Sequence, residues 1–248
     1  MDATRFTLVS LGIIAAGTTA AQNLTVVNTP WAGESNHAQM LAEAFGGSFT
    51  SLGQASGVNA KVGGASLTDT GFTNGAYTFS RIADAGSRTR SSLRNVSGSD
   101  LVWNAGSYRA ESIGGHSSQS HTLGIMTESG QFETINATGV VGQNSSVHPS
   151  EHFTWAVRNT NGNTFYADSS RNAAGSDHVV SYAMYDAANR LIGAVLFFED
   201  WGGANSDYDY NDFAVLLTLA PTPQAALMGA LGLGGVGLAA GRRRRTVA

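Results

Sequence analysis

The chain has no cysteine, which excludes disulfide bonds and thiolate metal sites. That absence leaves export open, because many exported bacterial proteins fold without disulfides. Charge is also sparse, at 13% of the 248 residues, and it is unevenly placed. Between residues 22 and 220 there are nine basic and seventeen acidic side chains, a formal −8. Such a body repels nucleic acid and attracts cations, so no nucleic-acid partner is expected. Proline occurs only four times, and residues 221–224 are the one linker-like stretch. No Gly-x-Ser-x-Gly elbow is present, so acyl-transfer catalysis has no support.

What is there is concentrated in residues 196–219, LFFEDWGGANSDYDYNDFAVLLTL. An apolar strand, an acidic loop and a second apolar strand follow one another. Five of the body's seventeen acids lie in this loop: Glu199, Asp200, Asp207, Asp209 and Asp212.

The two ends read as targeting segments. Arg5 precedes an apolar run over residues 6–16, and Thr19-Ala20-Ala21 fits a small-x-small cleavage site. The run is too short to span a bilayer, so residues 1–21 are expected to be a signal peptide cut by signal peptidase. At the other end, residues 225–241 carry no charge, and Arg242 to Arg245 follow as a basic block. A single short transmembrane helix with its basic end in the cytoplasm is expected there. Gly232, Gly234 and Gly237 match a dinucleotide fingerprint, but no strand–helix frame surrounds them. The layout of Pro221-Thr222-Pro223-Gln224, an apolar helix rich in small residues and an Arg cluster resembles the PEP-CTERM sorting signals of Gram-negative bacteria. Those signals carry Pro-Glu-Pro where this chain has Pro-Thr-Pro. The resemblance implies an exosortase-type processing partner for residues 221–248, membrane tethering, and then release to the cell surface or matrix. An anchor that is never cleaved is the alternative.

In the body, residues 22–220, a short strand is expected at 24–27 and a helix at 35–45, with Ser35 as its N-cap. Short alternating runs at 76–82, 100–103, 121–126, 152–157 and 178–185 read as strands, as does 190–198. Gly, Asn and Ser clusters separate them. The fold class is therefore all-β: an antiparallel β-sandwich, jelly-roll-like, with one short N-terminal helix.

Asp207, Asp209 and Asn211 alternate, Asp212 follows, and Gly202-Gly203 permits a turn that brings Glu199 and Asp200 near them. Oxygen donors at this spacing suit Ca²⁺, which takes six to eight of them. The loop is not an EF-hand, because neither its Gly nor its final Glu is in place. Zn²⁺ fits less well, since no His or Cys lies within the stretch. The plain alternative is a solvated acidic hairpin with Asx-turns. The pattern Phe198-Glu199-Asp200 followed by Asp207-x-Asp209-x-Asn211-Asp212-Phe213 is similar to the closing signature of a family of bacterial extracellular β domains of unknown function. That resemblance covers about twenty residues. It implies Ca²⁺ ligation by Glu199, Asp200, Asp207, Asp209, Asn211 and Asp212.

Other candidates are weaker. His148 and His152 lack the zincin order, and His116 and His121 bracket a polar loop. Glu199 and Asp200 are adjacent, so on an extended strand they face opposite ways and make a poor glycosidase pair. Of Trp31, Trp103, Trp155 and Trp201, the last lies in the acidic loop and is the candidate ligand contact. The reading is a non-enzymatic exported surface or matrix protein with a structural Ca²⁺. Its rival is a carbohydrate-binding module or polysaccharide-acting enzyme with exopolysaccharide as partner.

Overall fold

A computed structural model describes residues 24–58, 65–84, 91–93, 99–137, 140–202 and 206–220. The expected signal peptide and C-terminal membrane helix lie outside them. Among the described residues no helix is long and apolar enough to cross a membrane.

Among the described residues strand predominates over helix. In order it forms β1 (Leu24–Thr25), α1 (His37–Phe45), β2 (Thr50–Ser51), β3 (Gln54–Val58), β4 (Ala65–Asp69), β5 (Gly71–Thr73) and β6 (Tyr77–Arg81). There follow β7 (Tyr108–Gly114), β8 (His121–Thr127), β9 (Phe132–Ala137), β10 (Asn144–Val147), β11 (Phe153–Asn159) and β12 (Thr164–Tyr166). The last three are β13 (Val179–Asp186), β14 (Leu191–Phe198) and β15 (Phe213–Leu219).

An eight-stranded sheet runs in the order β10-β7-β15-β14-β13-β6-β5-β2, and a four-stranded sheet in the order β12-β11-β8-β9. A smaller sheet, β1-β3-β4, continues from the β2–β5 pair, where the Leu52 amide donates to the Gly71 carbonyl and the Thr70 amide to the Gly53 carbonyl. Pairing within the two larger sheets is antiparallel. The exception to the expected antiparallel pattern is β1, which joins β3 in parallel, Leu24 opposite Gly57.

The two larger sheets share one core. Leu123 and Ile125 of β8 and Trp155 and Val157 of β11 meet Leu196 and Phe198 of β14 and Val215 and Leu217 of β15. On the other face of the eight-stranded sheet lies α1. Its Met40 and Leu41 pack on Phe72, Phe79, Val180, Tyr182, Val195 and Phe197. β14 is thus buried on both faces, which is why it reads as a continuous apolar run instead of alternating.

Two expectations need correction. The helix cap is Asn36, not Ser35: Asn36 Oδ1 accepts from the Gln39 amide at 3.0 Å, and Gln39 Oε1 accepts from the Asn36 amide at 2.8 Å. The reciprocal box needs Gln three positions on, and only Asn36 has it there. Residues 100–103 form no strand; Trp103 makes single bridges to Ser91 and Phe153. The apolar signal there comes from Trp103, which is fully buried edge-to-face against Trp155.

Candidate metal centre

Phe198 at the end of β14 pairs with Phe213 at the start of β15 and with Val179 at the start of β13. Loop 199–212 therefore opens and closes at one end of the sheet. Gly114 of β7 pairs with Ala214, so residues 115–117 run beside the loop. From the other sheet, His121 at the start of β8 lies opposite Asn159 at the end of β11. Strand ends from both layers converge on the loop. Gly115 permits the closest of these approaches, since a Cβ there would fall 2.3 Å from the Asp212 carbonyl oxygen.

The acidic side chains gather into two groups of three. Glu199, Asp200 and Asp212 each bring a ligand atom within 4.8 Å of the other two. Glu34, Asp207 and Asp209 do the same. The expectation that Glu199 and Asp200 face apart is overturned. β14 stops at Phe198, so its alternation ends before either residue.

The geometry also adds Glu34, which precedes α1 and which no local spacing singles out. Asn211 anchors it: its Nδ2 donates to the Ser35 carbonyl at 3.3 Å and to Glu34 Oε2 at 3.5 Å. Trp201 is 40% exposed, and its backbone amide donates to Glu199 Oε1 at 3.3 Å.

Glu199, Asp200 and Asp209 are each at most 1% exposed. Glu199 Oε2, Asp200 Oδ1 and Asp209 Oδ2 are buried without a hydrogen-bond partner. Two other oxygens of the first group have partners. Asp200 Oδ2 accepts from Ser117 Oγ at 2.6 Å and meets His121 Nε2 at 2.5 Å, and Asp212 Oδ2 accepts from the Asp200 amide at 2.8 Å. Leaving a buried carboxylate oxygen unpaired costs about 1–3 kcal/mol or more, so these three oxygens need an account.

Protonation is one partial account. Burial first, then the Asp207 charge, raises Glu199 to about 8. Burial and then Glu199 and Asp200 raise Asp212 to about 10. Burial, reinforced by Asp207 and Glu34 and opposed by the Asn211 amide, brings Asp209 to about 7. Asp200 differs: burial works to raise it, but the hydrogen bonds from His121 and Ser117 outweigh burial and hold it below the ordinary value. The same crowding that loads these groups with protons would be relieved by a divalent cation.

The loop backbone is strained. Tyr208 and Tyr210 have φ of 58° and 57°, left-handed values that bulky residues avoid. Between them Asp209 Oδ1 accepts from the Asn211 amide at 3.1 Å, an Asx-turn. The strain is held by packing. Tyr208 and Tyr210 are buried against the α1 side of the sheet, and Tyr210 Oη donates to the Asp177 carbonyl at 3.2 Å. His37, stacked on Phe197 at 3.9 Å, meets the Tyr210 carbonyl with Nε2 at 3.1 Å. Burial, followed by the Arg81 charge, lowers His37 to about 3, so it is neutral.

Ser117, His121 and Asp200 have the residue types of a hydrolytic triad without its geometry. Ser117 donates to the carboxylate, not to the imidazole, so the base is not placed to take its proton. His148 is exposed and meets Ser107 Oγ at 2.9 Å. Trp103 and Trp155 are fully buried and serve as core, not as sugar platforms.

A second buried polar cluster lies behind the site. Asp84 Oδ2 accepts from Arg81 Nη2 at 2.8 Å and from the Thr25 amide, and Thr25 Oγ1 donates to Asp177 Oδ2 at 2.6 Å. Asp100 is fully buried, and neither of its carboxylate oxygens has a partner. Burial, with the charges of Asp84 and Asp177, raises Asp100 well above its ordinary value. Burial and Asp84 bring Asp177 to about 7. Nothing in the local sequence marks these residues, which come from four separate segments.

Comparison with family models, curated proteins and solved structures found no match to this chain.

Proposed function

We propose that this chain is an exported bacterial surface or matrix protein without catalytic activity, its β domain braced by structural Ca²⁺ at the acidic loop. The observation that carries the metal reading is the set of three buried carboxylate oxygens without partners, in two carboxylate groups each compact enough for one cation. Ca²⁺ accepts such a hard, all-oxygen, mostly carboxylate donor set. Glu199 and Asp200 are almost fully buried, so a sugar ring has little access to them as an acid/base pair.

Export and delivery rest on the two ends of the sequence: a signal peptide at 1–21, and a tail at 221–248 handled by an exosortase-type enzyme. A mature surface chain that still carries Arg242 to Arg245 would sink the sorting route. The jelly-roll description rests on strand order. From β7 to β13 the chain moves from the eight-stranded to the four-stranded sheet, back at β10, across again at β11, and back at β13.

Calorimetric titration tests the metal reading. Millimolar Ca²⁺ is expected to raise the melting temperature. At a free concentration 100-fold above Kd the gain is about 2.7 kcal/mol. No heat of binding and no thermal shift would remove Ca²⁺ from the account.

One observation favours a second reading, carbohydrate binding. A cleft of about 440 Å³ is lined by Asn28, Asn36, Gln54, Asp69 and Phe72, among others. Amides and a carboxylate beside an aromatic ring suit sugar hydroxyls. The cleft adjoins the acidic loop through Asn28, whose Nδ2 donates to the Asp207 carbonyl. Trp201 does not line it. Glycan-array binding lost on Asn28→Ala, with Trp201→Ala as a second arm, would favour this reading.

A further inference from the structure

We infer that the acidic loop holds two divalent cations, the second seated on Glu34, Asp207 and Asp209 and fastening the entrance of α1 to the loop. This rests on the Ca²⁺ reading above and goes beyond it in number and place.

Reach favours two ions. Ca²⁺ lies about 2.3–2.6 Å from each donor, so donors on one ion lie within about 5 Å of one another. Glu34, Asp207 and Asp209 meet that limit as a set, and Glu199, Asp200 and Asp212 meet it as another. Charge favours two ions as well. One ion facing all six carboxylates would leave a large uncompensated negative charge in a buried place. Two ions facing three each leave about −1 apiece, which solvent and nearby donors can balance.

Asp209 is 1% exposed; its Oδ1 accepts from Asn211, and its buried Oδ2 has no partner. The orphans of the first group, Glu199 Oε2 and Asp200 Oδ1, are separate from it. Each group of three therefore carries its own unmet demand for a ligand.

The surroundings of the second group are already built. Glu34 Oε2 accepts from the Trp31 amide at 3.2 Å and from Asn211 Nδ2, which orients the carboxylate toward the loop. Ser35 is held on both sides: its amide donates to His116 Nε2 at 3.2 Å, and its carbonyl accepts from Asn211. The Asn28 amide donates to the Tyr208 carbonyl at 2.9 Å. The two left-handed tyrosines flank Asp209 and set the turn that presents it to Glu34. The first ion would thus tie the end of β14 to the start of β15, and the second would tie that hairpin to the segment leading into α1.

The test is the number of Ca²⁺ ions bound by the full-length chain. The chain is stripped with EGTA, then counted by native mass spectrometry and by equilibrium dialysis with Ca²⁺ alone. Two ions are expected for the wild type. Glu34→Gln, which keeps the hydrogen-bonding oxygen, is expected to bind one, and so is Asp212→Asn. Asp207→Asn serves as the second variant of the Glu34 group, with circular dichroism confirming that each variant folds. One ion in the wild type, or two in both Glu34→Gln and Asp207→Asn, overturns the inference and leaves the Ca²⁺ reading in place. No ion in the wild type removes both.

Discussion

At the residue scale, Asp209 joins strain, burial and unmet valence in one side chain. It lies between two left-handed tyrosines, each costing roughly 1–3 kcal/mol in backbone strain, and one of its oxygens is buried without a partner. A structure that stores this much cost at one position is repaid elsewhere, here by tyrosine burial and, on our reading, by a cation. Asp209→Ala should therefore behave differently with and without Ca²⁺. In EGTA the loss is expected to be at most about 1 kcal/mol, the Asx-turn hydrogen bond. In millimolar Ca²⁺ the variant should lose the ligand-dependent gain as well, on the order of 2–3 kcal/mol. Urea denaturation under both conditions measures the difference, and an equal loss in the two would contradict the role. The Asp/Asn alternation made this residue visible in the sequence. The left-handed tyrosines were not visible, because aromatic side chains ordinarily argue against that backbone, and only packing on the α1 side holds them there.

At the element scale, β14 and β15 carry the site. Their apolar runs were legible because a strand buried on both faces has no polar positions to hide it. Other strands were hidden for the opposite reason. β7 alternates Tyr108, Ala110 and Ser112 inward with Arg109 outward, so a small and a polar residue stand where a strong apolar signal was needed. β3 and β10 are short and polar, QASGV and NSSV, and their pairing comes from neighbouring strands more than from propensity. The helix was visible from its apolar spacing, but its start was set by the reciprocal Asn36–Gln39 box. Leu196 is fully buried at the middle of β14 and faces the inter-sheet core. Leu196→Ala should cost about 2–5 kcal/mol, read by urea denaturation. A cost below 1 kcal/mol would mean that the two sheets do not share that core.

At the scale of the whole molecule, the buried acids couple stability to pH. Glu199 at about 8, Asp209 and Asp177 at about 7, and Asp212 at about 10 all stand above their ordinary values. In the unfolded chain such groups titrate near 4. Between about pH 4 and pH 8 the folded state therefore binds more protons than the unfolded state, and stability falls as pH rises. Asp200, held below its ordinary value, acts the other way only below about pH 4, whereas buried His37 at about 3 and His178 at about 4 oppose the trend up to about pH 6.5, two groups against the four acids. A divalent cation displaces the extra protons, so its stabilising effect grows as pH rises. In EGTA the melting temperature is expected to fall from pH 5 to pH 8, and millimolar Ca²⁺ should reduce or reverse the fall. A metal-free melting temperature that climbs over that range would refute this account.

The sequence by itself determined the β character of the domain, its acidic body and the place where its carboxylates crowd. Each of these follows from local composition and period: apolar runs between Gly, Asn and Ser turns, and oxygen-bearing side chains at alternate positions. Tertiary structure alone decided which carboxylates meet. Glu34 reaches Asp207 and Asp209 across most of the chain, His121 comes to Asp200 from the other sheet, and Asp84, Asp100 and Asp177 gather around Arg81 from separate segments. The reason is that a strand end is placed by its partners in the sheet, and those partners are fixed by burial over the whole core. It is the same burial that drives the acids together and leaves their oxygens in want of a proton or a cation.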